Sequence, residues 1–482
     1  MIAGTPVLDL DDAASLEAAD SGGALRSAAS GGAQVRATAA AVEEDMLTRL
    51  DGLQPRSLLL VSGAGRATRA AGLLIAALGD RAGLPVVPVA AVPPWVGPLD
   101  VVLVSGDDPA DPRLIDAVDR AQRRGAEVIV AAPAEGPLRA VTAGRSAVLE
   151  PRVRVLDHNR LLRFLAVGIA VLRAIDPGRS GAVLPELGEL ADVLDAEALR
   201  DGPQHEVFHN PAKTLATRMQ ERRVVLTGDS AAATELAAHA AEVLLQSAGR
   251  VAAAVDLTVA VAALPRMTAA TASAPDYDPL FHDDQLDGPP PVDRLRVFLL
   301  SADTDEVAAR RKLAVFATSG AVDADLVNAD TDPTEEPAGA RPSEQPSDET
   351  INGRGRGGDL QRLAVLALRL EMAAAYLRLL SSGETTASGA DTYHGGRYQC
   401  TNSLVRCVPM PGGHAPHSPN YVAGPYRPLI PKPNSGSALT QPTRPICAAV
   451  TARARCWTWS RPIRNGNWAR RQPNSKASCR SC

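Results

Sequence analysis

The chain has 482 residues, of which 45% are hydrophobic, only 3% aromatic and 22% charged, with a formal net charge of −5. That length allows two or three domains with ample core, built from Ala, Leu and Val rather than rings. No apolar run approaches the roughly 18–20 residues that cross a bilayer. The acidic start MIAGTPVLDLDDAASLEAAD lacks the basic and apolar regions of a signal peptide, so a cytoplasmic chain without a membrane partner is expected.

Residues 1–33 are polar and rich in Gly, Ser and Ala, and are expected to be loose. From Gln34 to Leu50 apolar residues recur at Val35, Ala39, Val42, Met46 and Leu50, which predicts an amphipathic helix. The stretch Ser57–Ala77, SLLLVSGAGRATRAAGLLIAA, is the centre of the pattern. An apolar strand, Leu58–Val61, runs into the small-residue turn Ser62–Thr68 and then into a helix over 67–78. Glycines at Gly63 and Gly65 allow positive φ and close approach. The N–H groups at the following helix start favour an anion. The same pattern also suits a tight turn with no ligand.

A βα rhythm follows. Strands are expected at 85–89, 100–104, 127–131 and 147–155, with a helix over Pro112–Arg124 closed by Gly125. Ligands of such parallel sheets sit beyond the C-terminal strand ends, here Gly63–Thr68 and Ser105–Asp108. Leu161–Ile175 is an apolar helix too short and too Arg-flanked to span a membrane.

The rhythm then restarts. Glu186–Arg200 reads as a helix. Asn210 caps a further helix that carries Pro211 at its first position. Arg223–Thr227 is the first strand of a second unit, ending in Gly228-Asp229-Ser230, with its helix over 231–248. Further strands are expected at 251–261 and 294–300, and a charged helix at 304–317. The stretch 330–358 is a linker by composition. Residues 359–380 read as an amphipathic helix that docks on the core.

After Leu380 the vocabulary changes. All six cysteines, at 400, 407, 447, 456, 479 and 482, and three of the four tryptophans lie in this last part. From Gly383 onward the net charge is +11, against −16 before it. A disordered basic tail and a Cys/His metal module are two readings. The spacings C-x6-C and H-x2-H match no zinc pattern. The preferred reading is a segment translated in a shifted frame. Its charge would attract nucleic acid only non-specifically.

Two glycine-led α/β halves and an intervening Asn210-Pro211-Ala212-Lys213 resemble the sugar isomerase (SIS) fold. More narrowly, the chain resembles the bifunctional phosphoglucose/phosphomannose isomerases. Ser62–Thr68 stands where that family carries a G-x-G-G-S turn. Pro93-Pro94-Trp95 matches its P-x-W piece, Ser105–Asp111 its phosphate loop, Arg124–Val130 its following strand, and Gly136-Pro137-Leu138 its GPL element.

The resemblance covers roughly residues 35–380. It implies two doubly wound parallel-sheet SIS-like lobes with flanking helices. The segments would be 1–50, an N-terminal segment and helix; 51–178, the first lobe; 179–329, the second; 330–358, the linker; 359–382, the C-terminal helix; and 383–482, the tail. It implies a sugar phosphate as ligand and is compatible with a homodimer. No cofactor and no metal are implied. Ligand-binding candidates are Gly63, Gly65, Arg66, Thr68, Ser105, Asp107, Asp108 and Lys213.

Departures from the family are as informative. Asp107, Asp108 and Asp111 replace the hydroxyls of its phosphate loop. Like charges 4 Å apart repel by about 4 kcal/mol at an effective dielectric of 20. Aldose–ketose isomerisation needs a base at C1/C2 and an acid/base for ring opening. The family supplies Glu and His, but the matching stretches Leu245–Arg250 and Ala254–Ala263 contain neither. Catalytic residues are therefore unassigned. The expectation is a sugar-phosphate isomerase-like protein with degraded catalytic motifs. A non-catalytic binding or regulatory relative is the alternative. His205, Glu206 and His209 read as a polar loop rather than a zinc motif, and His282-Asp283-Asp284 as a solvated loop.

Overall fold

The computed structural model describes residues 8–271, 295–317, 322–329 and 358–382. The expected linker (apart from Gly358), the tail from Gly383 and the His282–Asp284 loop lie outside the described residues. The first sheet is built from β1 (Ser57–Ser62), β2 (Val86–Pro88), β3 (Asp100–Ser105), β4 (Glu127–Ala131) and β5 (Ala147–Val148). Its order is β2-β1-β3-β4-β5 and every pairing is parallel. Leu58, Leu60, Val101, Leu103 and Ile129 face one core, together with α4 (Arg66–Leu78) and α7 (Leu161–Ile175). Leu59, Val61, Val102, Val104, Val128 and Val130 face a second core with α5 (Pro112–Arg123). Successive strand residues point to opposite faces, so continuous apolar runs are what a sheet covered on both sides requires.

The second sheet repeats the plan. Its strands are β6 (Arg223–Gly228), β7 (Ala252–Asp256), β8 (Leu295–Leu300) and β9 (Asp323–Val327), in the order β7-β6-β8-β9, again all parallel. The helix after β6 is α11 (Ala231–Ala248). Ser57–Ser62 runs beside Asp100–Ser105, and Arg223–Gly228 beside Leu295–Leu300, each over six residues. The helices α4 and α11 pack on each other and join the two sheets through one shared core. Their charged residues interlock: Arg69 pairs with Glu235 and with Glu242.

Several expectations shift. Residues 13–29 are not loose; α1 (Ala13–Ala19) and α2 (Ala24–Ala29) form there and bury Leu16 and Leu25. Asp12 and Asp20 supply the carboxylates that meet the free N–H groups at their starts. The helix expected to reach Leu50 is α3 (Gly31–Glu43); Asp45, at φ 63°, leaves the right-handed region just beyond it. The fifth strand pairs only at Ala147 and Val148. The apolar stretch 251–261, read as one strand, is β7 followed by α12 (Leu257–Thr271). The small apolar run carried no periodicity to separate the two. Three further helices precede the second sheet: α8 (Ser180–Val183), α9 (Leu187–Arg200) and α10 (Pro211–Met219), between α7 and β6. Between β4 and β5 lies α6 (Gly136–Thr142), and after β8 lies α13 (Glu306–Ala317).

The last helix, α14 (Gly358–Ser382), departs most from expectation. It docks on the core as expected, but through more than one apolar stripe. Its residues from Leu363 to Leu377 are buried on every side, against α2, α9, α10 and α11. Its polar side chains are therefore paired inside the core. Arg369 Nε donates to Glu197 at 2.6 Å and Nη1 to the Asn328 carbonyl at 2.7 Å. Tyr376 Oη donates to the Asp201 carbonyl at 2.7 Å. No described helix is long and apolar enough to cross a membrane.

Candidate functional site

In the order β2-β1-β3 the chain leaves β1 toward one side of the sheet and β3 toward the other. The crevice between their C-terminal ends is a topological switch point, where parallel sheets bind ligands. Two loops meet there. Gly63 N–H donates to the Ser105 carbonyl at 2.7 Å, and a Cβ on Gly63 would stand 3.3 Å from the Gly106 Cα. Glycine at this position lets the two backbones touch. Gly65 has φ 84° and ψ −133°, a conformation closed to residues with a Cβ. It turns the chain directly into α4, whose N-terminus no side chain caps. The first N–H groups of a helix have no intrahelical acceptor. Those of Arg66, Ala67 and Thr68 lie at the crevice.

The second loop is acidic, but its carboxylates are engaged. Asp107 pairs with Arg160 Nη1 at 2.9 Å. Burial raises the Asp107 pKa, and Arg160 works against that rise. Asp108 Oδ1 accepts from the Ala110 N–H at 2.8 Å, and Asp111 caps α5 through the Arg113 N–H at 2.9 Å. These contacts draw the negative charge into the loop's own fold.

The sequence-predicted residues Gly63, Gly65, Arg66, Thr68, Ser105, Asp107 and Asp108 thus come to one edge of the first sheet. Their side chains do not all serve it. The Thr68 hydroxyl donates to the Gly63 carbonyl at 2.7 Å. The Arg66 guanidinium is buried and points away, into the seam between α4 and α11. There Nη1 donates to His239 Nδ1 at 2.8 Å, and Nη2 pairs with Glu242. Lys213 is placed elsewhere, on α10. Its ammonium donates to the carbonyls of Leu10 (2.6 Å), Pro203 (2.8 Å) and His205 (2.6 Å), which uses all three of its hydrogens. Burial lowers its pKa. Here Lys213 ties the N-terminal segment to the loop before α10.

The first sheet's crevice differs from its counterpart in the second sheet. After β6, Ser230 caps α11 by accepting from the Ala233 N–H. Asp229 accepts from Ser301 Oγ at 2.7 Å and from Lys312 Nζ at 2.9 Å. That crossover is closed by its own side chains, whereas the first is left open by glycine.

Further residues that the sequence reading missed gather at the seam of α4 and α11, behind the crevice. The 3-10 turn Asp157–Asn159 packs on both α4 and α11. His158, half-buried within it, has no hydrogen-bond partner among the described residues. Burial pulls its pKa down; Glu371 opposes this, while Arg378 and Arg66 reinforce it. The imidazole is therefore neutral near pH 7. His239 and Glu242 are three apart on one face of α11, and Glu371 is a lone carboxylate in an apolar stretch of α14. Each carried a faint signal: helical spacing in one case, a misplaced charge in the other. His205 and His209 flank the exposed Phe208 before α10. No group of three or more metal-ligating side chains forms among the described residues.

No family model matches the chain, and no curated protein matches it. Among solved structures, the tagatose-6-phosphate ketose/aldose isomerase of Escherichia coli is similar at 16% identity and a TM-score of 0.48. The likeness covers 74% of this chain and 94% of that one. The C-terminal domain of the glucosamine-fructose-6-phosphate aminotransferase of Francisella tularensis is similar at 8% identity and a TM-score of 0.45. It covers 74% of this chain and 94% of the other. Likenesses this distant transfer no ligand and no reaction.

Proposed function

We propose that this chain is a sugar-phosphate isomerase-like protein that binds a sugar phosphate, or a related carbohydrate derivative bearing an anion, without isomerising it. The supporting observation is the uncapped start of α4 behind Gly65, at the β1/β3 switch point, set against the self-capped α11 in the second sheet. Free N–H groups and the helix dipole favour an anion there. The order of motifs that resembles the phosphoglucose/phosphomannose isomerases supports a sugar phosphate as the anion's class. Asp107 and Asp108 on the facing loop suit sugar hydroxyls, which donate to carboxylates, better than a second phosphate.

Isothermal titration with fructose-6-phosphate, mannose-6-phosphate and glucose-6-phosphate tests this reading. Saturable heat with one of them, and no product in an isomerisation assay on the same sample, is the expected result. Absence of binding to all three overturns it. The unpartnered His158 favours a second reading, in which the crevice does move a proton. His158 lies two residues from Arg160, which pairs with Asp107 of the crevice loop, and a neutral imidazole can serve as the acid/base of ring opening. Turnover that His158→Asn abolishes without weakening binding selects that reading instead.

A further inference from the structure

Arg66 is the first residue of α4 and the neighbour of Gly65, so whatever holds its side chain also holds the turn. Its guanidinium ends a buried chain of hydrogen bonds through six elements. Arg66 can only donate, so His239 Nδ1 accepts from it at 2.8 Å, and the ring hydrogen sits on Nε2. Nε2 donates to Glu371 Oε1 at 2.9 Å; both side chains are 1% exposed. Glu371 Oε2 accepts from Asn159 Nδ2 at 2.9 Å. Asn159 Oδ1 accepts from Ser27 Oγ at 2.8 Å, and its carbonyl from Gln34 Nε2 at 2.9 Å. The chain thus begins at the open turn and ends among the N-terminal helices.

From this geometry we infer that His239 and Glu371 are positioning residues for the anion-binding turn, holding Arg66 inward so that the first N–H groups of α4 stay aimed at the crevice. This deepens the reading of an anion site at that turn and rests on it. The polarity of the chain is set by its end: a guanidinium accepts nothing, so only a neutral His239 with its hydrogen on Nε2 fits between Arg66 and Glu371. Protonation of His239 would turn Nδ1 into a second donor facing Nη1 and break the link. The charged and titratable groups around the ring are Arg66 and Arg69 on α4, Glu235 and Glu242 on α11, Glu371 and Arg378 on α14, and Asp157 and His158 on the 3-10 turn.

The test compares His239→Leu, which removes both ring contacts, with His239→Gln. The Gln amide can accept from Arg66 through its oxygen and donate to Glu371 through its nitrogen. Amide hydrogen exchange across the first bonded turn of α4, residues 69–72, where the Arg69 N–H donates to the Gly65 carbonyl, is read first because it needs no ligand. Exchange at least tenfold faster in His239→Leu, returned to near the wild-type rate in His239→Gln, is the expected result. Wild-type exchange in a folded His239→Leu overturns the inference. If His239→Leu does not fold, the pH series decides. Exchange in the wild-type turn, corrected for intrinsic rates, then rises as the medium is acidified, and His239→Gln stays flat; parallel profiles overturn the inference. Titration with fructose-6-phosphate separates the two layers. No wild-type binding counts against the proposed ligand while the exchange arm still decides the role of His239. Wild-type binding unchanged in a folded His239→Leu counts against the positioning role alone.

Discussion

At the scale of single residues, the site depends on conformations and protonation states that few side chains can adopt. Gly65 meets nothing within 4 Å where a Cβ would stand, so its constraint is backbone conformation and not crowding. Gly65→Ala is expected to cost about 1–3 kcal/mol of stability, the scale of a forced positive-φ residue. Sugar-phosphate affinity should weaken with it; chemical denaturation and titration calorimetry check the two effects. Glu371 is the most perturbed carboxyl near the turn. Burial pushes its pKa from 4.5 to about 8, with Asn159 pulling the other way. A raised folded pKa means the native state holds its proton more tightly than the unfolded chain does. The stabilising contribution is therefore complete below about pH 4.5 and is lost as pH rises toward 8. His239 acts in the opposite sense. Burial lowers its pKa well below 6.5, so it contributes a loss of stability as pH falls through 6.5. Glu371→Gln, which cannot titrate, should flatten the decline between pH 4.5 and 8. Denaturation midpoints measured across that window decide this, and an unchanged slope would show that Glu371 titrates as an ordinary carboxyl.

At the scale of elements, α14 carries the most weight. It fills the space between α9, α10 and α11, and three of its polar side chains close buried networks: Arg369 with Glu197, Glu371 with His239 and Asn159, and Tyr376 with Asp201. Removing the helix exposes the apolar faces of those neighbours and takes Arg369 from Glu197 and Glu371 from His239. An unpaired buried charge alone costs about 3–5 kcal/mol. A chain ending at residue 357 is therefore expected not to reach a cooperative folded state. Loss of a sharp thermal transition by circular dichroism is the observation that checks it. The pairing of α4 with α11 works in the same way on a smaller scale. Arg69 bonds Glu242 through two nitrogens, at 2.8 and 2.6 Å, so the first crossover helices of both sheets share one ion-pair cluster.

At the scale of the whole molecule, the described residues all belong to one compact unit. A chain ending at Ser382 is expected to keep the thermal midpoint of the full chain within about 2 °C, which differential scanning calorimetry measures. A drop larger than that would show that the basic segment supports the fold. Much of the fold was legible beforehand. Apolar strands at 58–61, 100–104 and 223–227, each running into a glycine and then a helix, specify parallel strands covered on both faces. The cap at Asn210-Pro211 and the turn at Gly63–Thr68 were readable for the same local reason: they rest on backbone geometry confined to a few neighbouring residues. What lay beyond reach was long-range pairing. Arg66 and Lys213 are cations that sequence alone places at a ligand, and the folded chain spends both on internal partners, 176 and 203 residues away in their most distant bonds. Local pattern determined which segments become strands, helices and open turns. Only the tertiary structure decided which charges remain for a ligand, because a buried cation is satisfied by whichever acceptor the packing brings to it.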